Sequence, residues 1–398
     1  MSIFLYVHIS ILALMAFVWA YKAYRRRIYI WLPEYLKTVF VKNNSRSTKS
    51  GTKHIIFSFV DHFEAPLGEE MIGQHRIAEW INKYPKIADR HQDSDGICPQ
   101  HTWFYACEKF DLDYKGAEEE LKAISELCSK GYGEIEFHLH HHNDTSASLK
   151  DKIKQGVEIF NKFGALITAE NEPKKAFGFI HGGWALDNSI RGKCGVNNEL
   201  QVLREAGCYA DFTFPAYSFI SQPRKINSIY YSKDDPDKPK SYDTGFDVEI
   251  GKKPTGDLMI IEVPLTINWK DWRHIFYPKI EYGDISKQDP PTPTRVDQWI
   301  RCNIHVKGRP EWAFVKIYCH GCYDETMEVV LGKKIDEMFM HLEDKYNDGV
   351  KYRLHYVTAR QACNIIKAAE NGQSGDPGEY RDYLIKPYRN SYKMTGAE

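Results

Sequence analysis

Eight short apolar runs, separated by helix-like stretches and with titratable residues near the ends of six of them, constrain this chain more than any other feature. The runs are His54–Asp61, Thr102–Glu108, Ile135–His140, Ala176–His181, Tyr209–Phe214, Leu258–Leu265, Ala313–His320 and Tyr352–Thr358. Several are apolar on both faces, as strands of a covered parallel sheet are. Helix-like stretches such as Lys115–Lys130, Leu149–Phe163, Asn198–Ala206 and Glu325–Tyr346 lie between them. Asp61, Glu108, His138 to His142, His181, Asp211 and His320 fall near the strand ends. In β/α barrels the active site is built at the C-terminal ends of the strands. The pattern predicts a single α/β barrel over residues 53–370 with its site at one mouth. Residues 371–398 are expected to form a tail.

The beginning of the chain is different. Ile3 to Tyr24 is a nearly continuous apolar run, followed at once by Arg25, Arg26 and Arg27. About twenty such residues span a bilayer as a helix. A cleaved signal peptide carries its positive charge before the apolar stretch, so this run has the opposite polarity. The positive-inside rule then predicts a single-pass anchor at residues 1–27 in the plasma membrane, with the soluble domain in the cytoplasm. Residues 28–52 are expected to be an interfacial segment and linker.

The densest chemical signal is His138-Leu139-His140-His141-His142. Neutral imidazole is a preferred ligand of zinc and related ions. A strand reaching His140 puts His138 and His140 on one side. A turn there lets His138 and His142 converge instead. A catalytic site also needs a carboxylate or a third imidazole and an open position. Asp61, which ends an apolar run, offers the carboxylate. Phe179-Ile180-His181-Gly182-Gly183-Trp184 places glycines where the backbone turns tightly or approaches a substrate. Tyr318-Cys319-His320-Gly321 repeats that arrangement late in the chain.

These blocks resemble, in order, the motifs of the NodB-type polysaccharide deacetylases. That family's T-F-D-D resembles Ser58-Phe59-Val60-Asp61, and its two histidines four residues apart resemble His138 and His142. Its third motif falls at Phe179–Trp184, and its last resembles Ile317–His320. The resemblance implies a distorted seven- or eight-stranded β/α barrel. It implies a divalent ion, zinc by preference, held by Asp61, His138 and His142, with His140 as the alternative ligand. It implies hydrolytic removal of N-acetyl groups from a glycan or glycan precursor. His320 is then the acid that protonates the departing amine. The family's first Asp, its general base, aligns with Val60, so Glu64, Glu108 or His181 is left to supply the base. Gly182, Gly183, Trp184 and Asp211 are expected to meet substrate.

Two other readings use the same residues. One is a metal-dependent hydrolase of another amide C–N bond. The other is an inactive barrel that binds glycan within a membrane-associated assembly system, and Val60 is the feature that favours it. The long aromatic segment Thr266–Trp312 is a candidate substrate wall, or else a satellite core. With 53 basic and 54 acidic residues, the chain lacks the basic surface that nucleic acid demands. Nine irregularly spaced cysteines suit free thiols better than a disulfide framework.

Overall fold

The computed structural model describes residues 3–44, 51–64, 70–107, 116–269 and 278–391. Helix α1 is Ile3–Arg25, and from Tyr6 to Arg25 its side chains are exposed apart from the half-buried Ala23. Twenty of its residues, Tyr6–Arg25, have a mean hydropathy of 1.4 and none of that stretch is buried, so it is long and apolar enough to cross a membrane. Helix α2 (Leu32–Asn44) follows. The segment between them is more than a linker. Trp31 is completely buried against Ile226, Leu265 and Ile280 of the main domain. Arg27 Nη1 donates to the carbonyl of Ser218 at 2.9 Å. An indole with apolar partners in reach gains more from burial than from an interfacial position.

The rest of the chain alternates strands and helices. In order these are β1 (Lys53–Phe63), α3 (Glu70–Ala88), β2 (His101–Ala106), α4 (Ala117–Ser129), β3 (Gly133–Leu139), α5 (Ser146–Lys162) and β4 (Phe177–His181). Next come α6 (Glu199–Glu205), β5 (Cys208–Asp211), β6 (Ile229–Ser232), β7 (Phe246–Asp247), β8 (Leu258–Ile261), β9 (Thr266–Asn268), β10 (Lys279–Glu281) and β11 (Asp284–Ile285). The chain continues with α7 (Pro293–Cys302), β12 (Trp312–Cys319), α8 (Asp324–Val330), α9 (Lys333–Tyr346), β13 (Tyr352–Val357) and α10 (Ala359–Glu370). All eight apolar runs are strands. The stretch Glu325–Tyr346 is two helices, because α8 stops at Leu331-Gly332.

The main sheet runs β11-β12-β1-β2-β3-β4-β5-β8-β6-β7, with β13 also paired to β1. From β11 to β8 every pairing is parallel, and β6 and β7 add an antiparallel edge. β1 is shared between β13, which pairs its first half from Lys53 to Ser58, and β2, which pairs Phe59 to Phe63. Among the described residues no ladder joins β7 to β11. The expected parallel α/β sheet is therefore present.

Strand alternation divides the core. Ile55, Phe57, Phe59 and Phe63 of β1 pack against Trp80 of α3, Leu121 of α4 and Phe160 of α5. Ile56 and Val60 pack on the other face with Phe104, Ile180, Phe212 and Tyr318. Each such side chain contributes about 1.5–3 kcal/mol on burial. Helix starts are set by side chains: Thr145 with Ser148 and Thr358 with Gln361 form capping boxes at α5 and α10. The domain also extends beyond residue 370. Tyr388 is fully buried and donates to Glu136 at 2.9 Å, and Arg381 pairs with Asp93. Residues 371–391 are thus packed structure rather than a tail. All of the cysteines but Cys98 are buried.

Candidate metal centre

β1 runs two residues past Asp61, and that extension decides which groups meet. Side chains alternate along a strand. His62 shares the inner face with Val60, whereas Asp61 points with Phe59 and Phe63 toward the helices. There its Oδ1 accepts from the Gly321 N–H at 2.6 Å, and its Oδ2 lies 3.0 Å from His101 Nε2. Gly321 is required at that contact, because a Cβ would come within 2.0 Å of Asp61 Oδ2. Asp61 therefore lies on the helix side, where one ligand atom each from Asp61, His101 and Cys319 falls within 4.8 Å of the others, and it does not join the histidine cluster.

His62 takes the place expected for Asp61. Its ring centroid lies 5.5 Å from that of His138 and 4.7 Å from that of His320. One ligand atom each from His62, Glu64 and His138 falls within 4.8 Å of the others. Glu64 Oε1 lies 2.9 Å from His138 Nε2 and 3.6 Å from His140 Nε2. Burial, followed by the nearby imidazoles of His320 and His138, pushes the pKa of His62 well below the ordinary value. Burial opposes ionisation of Glu64, but the hydrogen bond and positive potential of His138, with His140 and His320, outweigh it and hold the carboxyl at about 2. The result is a neutral imidazole beside an ionised carboxylate.

The expected cluster splits in two where β3 ends. His138 is fully buried on the inner face, and His140 lies at its edge with 29% of its side chain exposed. His142 is exposed and contacts neither group. Its assignment as a ligand fails because the chain turns outward after His141. His141 turns the other way and joins His181, Cys194 and Glu199 in a separate, fully buried group.

His320 stands at the opening, partly exposed, as the sequence pattern implies. It lines a cavity of about 250 Å³ together with Trp184, Phe219, Tyr282, Asp284 and Tyr318. Trp184 stacks on Phe219 with centroids 4.9 Å apart. Burial raises the pKa of Asp284. Gly182 lets the backbone press against His140, since a Cβ there would sit 2.1 Å from the ring. Gly183 adopts a left-handed conformation, φ 62°, in the turn that presents Trp184.

Two expected site residues are elsewhere. His181 is 0% exposed and faces Glu199 rather than the mouth. Asp211 is also 0% exposed, bound to Thr213 through both its backbone N–H and its hydroxyl. Burial raises the Asp211 pKa and lowers that of its neighbour Lys316, so Asp211 braces the interior and does not meet substrate. Glu108, Trp272, Phe276 and Tyr277 lie outside the described residues. Of the remaining aromatic segment, Trp299 and Trp312 are core residues, and Tyr282 alone among its named aromatics lines the cavity. A larger cavity of about 530 Å³ lies at the other end of the strands, between Thr52, His54, Arg309 and Asp376, away from both the His62 and the His141 groups.

His62 was legible in principle. Reading β1 through to Phe63 puts His62, by period two, on the face of Val60 and opposite Asp61; the register of β1, β2 and β3 then puts His138 on that face too. Cys194 and Glu199, thirteen and eighteen residues after His181, carry no comparable local signal.

No family model matches the chain, and no curated protein matches it. Among solved structures it is similar to the crystal structure of 4-alpha-glucanotransferase from Thermococcus litoralis, at 10% identity and a TM-score of 0.39, over 76% of this chain and 37% of that one. The chain thus spans little more than a third of that structure, and so loose a likeness assigns neither a fold family nor an activity.

Proposed function

We propose that this chain is a metal-dependent hydrolase that removes N-acetyl groups from a glycan or glycan precursor, at the mouth of a NodB-like barrel. The observation that carries the reading is the meeting of His62, Glu64 and His138 at the C-terminal ends of parallel strands, beside His320 and an aromatic cavity. Two imidazoles and a carboxylate fit a catalytic zinc ion, which takes three protein ligands and keeps a fourth position open. When bound there, such an ion polarises an amide carbonyl and lowers the pKa of an adjacent water.

The chain's own groups do the rest. His138 Nε2 and Glu64 Oε1 lie 2.9 Å apart, close enough for both atoms to serve as ligands of one ion in place of their hydrogen bond. His320 lines the cavity where the departing amine would lie and can hand it the proton it needs as the C–N bond breaks. Asp284, in the same cavity and with a raised pKa, takes the place of the base that Val60 cannot be. The stacked Trp184 and Phe219 offer an aromatic face to a sugar ring. Lys316 of β12 donates to the carbonyls of Phe212, Phe214 and Ile261 across the inner face, which favours a sheet curled toward closure. α1 anchors the protein, with Arg25 to Arg27 keeping the domain in the cytoplasm.

Acetate release from N-acetylated oligosaccharides by the detergent-purified full chain tests the reading, with metal content measured on the same sample. The expected result is metal-dependent release that disappears in His62→Ala/His138→Ala. Equal release by that double variant, or none by metal-loaded protein on any N-acetylated glycan, overturns it. A reporter fused to the C-terminus and active only outside the cytoplasm overturns the orientation.

A further inference from the structure

His141, His181, Cys194 and Glu199 come from four different places: the turn after β3, the end of β4, the following loop and the first residue of α6. Their relative exposures are 2%, 0%, 0% and 0%. Glu199 is the hub. Its Oε1 lies 2.9 Å from His141 Nε2 and 3.6 Å from His181 Nε2, and its Oε2 lies 3.2 Å from Cys194 Sγ.

The outer contacts fix what each group presents to the centre. His141 Nδ1 lies 3.0 Å from the Asp144 carboxylate, and His181 Nδ1 lies 2.7 Å from the Gly182 carbonyl. Both partners only accept, so each Nδ1–H donates outward. In neutral rings both Nε2 atoms then turn lone pairs toward an ionised carboxylate. His181 Nε2 is buried with no hydrogen-bond partner at all. A protonated His141 settles one of these contacts and leaves His181 orphaned, at a cost of about 1–3 kcal/mol for a buried unsatisfied group. Cys194 Sγ accepts the backbone N–H groups of Asn188 and Val196 at 3.3 and 3.4 Å and turns its own S–H toward the Glu199 carboxylate, the direction from which a metal ion would replace that proton.

We propose that these four residues form a second, structural zinc site, closed on all sides and distinct from the centre at His62. Zinc bonded at about 2.0–2.3 Å places its ligands roughly 3.3–3.8 Å apart, and one ligand atom from each of the four residues lies within 4.8 Å of the others. The set is complete at four protein ligands, as structural sites are, and none is accessible to substrate. The outward Nδ1–H contacts are the second-shell bonds that metal-bound histidines make. The ion ties two strand ends to the loop that carries Trp184, and so braces the wall of the cavity. The assignment does not depend on the proposed deacetylation.

Cobalt(II) exchange into the detergent-purified full chain tests it, because a thiolate ligand gives an intense charge-transfer band and the His62 centre has no sulfur. The band should appear in the wild type, persist in His62→Ala/His138→Ala, and vanish in Cys194→Ser with loss of one zinc per chain. A wild type without the band overturns the site, as does a Cys194→Ser protein that keeps both the band and its zinc. Should Cys194→Ser fail to accumulate, X-ray absorption on zinc retained by the His62/His138 double variant decides. One sulfur and two imidazoles support the site, and any other ligand set, or no zinc, overturns it.

Discussion

Histidines 138 and 141 are three residues apart and serve opposite kinds of site. His138 faces a group whose outer members, His140 and Glu64, keep 29% and 20% of their side chains exposed and which opens beside a cavity. His141 faces a group with no exposed member. The same imidazole chemistry therefore has room for substrate on one side of the β3 terminus and none on the other. Accessibility, more than ligand type, separates a centre suited to catalysis from one suited to bracing the fold.

The sharpest way to break this contrast is to remove ligands from each side in turn. His62→Ala/His138→Ala should reduce turnover by more than about a thousandfold, the several kcal/mol a metal contributes to a transition state, while leaving the melting temperature close to wild type. A large fall in melting temperature would make the open group structural as well. Glu199→Ala should do the reverse. Breaking a buried ionic contact of this kind costs about 3–5 kcal/mol of stability, which denaturant unfolding will register. Unchanged stability would remove the distinction.

A smaller effect probes the rim of the open site. His320→Ala should retain metal and fold but lose about a hundredfold in turnover, as expected of a general acid. Full activity in a stable, metal-loaded protein would take His320 out of the chemistry and leave Asp284 as the carboxyl group in the cavity.

The smallest effect guards against misreading acid sensitivity. His54, at the far end of β1, contacts His355 at 2.9 Å, and burial followed by that neighbour lowers its pKa to about 4. The unfolded residue titrates near 6.5, so between these values the unfolded chain binds more protons. Stability from this pair is present above about pH 6.5 and is lost as the pH falls toward 4. In metal-free protein, His54→Phe should flatten that part of the profile. A slope that survives the change would have to arise elsewhere, the two histidine groups included.

Much of the fold was legible because burial on both faces leaves its mark in consecutive residues. The eight apolar runs became strands, and the four helix-like stretches became helices within a few residues of their expected ends. Helix α10 and the packed segment through Ser391 were less visible. Arg360 with Glu134, and Tyr388 with Glu136, are long-range polar contacts that no local pattern announces. The site was half legible. Residue type and position marked His138, His140 and His320, since several imidazoles at strand ends are hard to explain by packing. Sequence alone could not set where β1 ends; the strand runs two residues past Asp61, and because side chains alternate between faces it is His62, not Asp61, that reaches the inner face. Nor could it send His141 and His142 to different surroundings, or bring Cys194 and Glu199 to His181. Those outcomes depend on how the turn after β3 packs against the loop before α6. They are tertiary because the groups that meet are distant along the chain, and only the closed fold determines which of them lose contact with water.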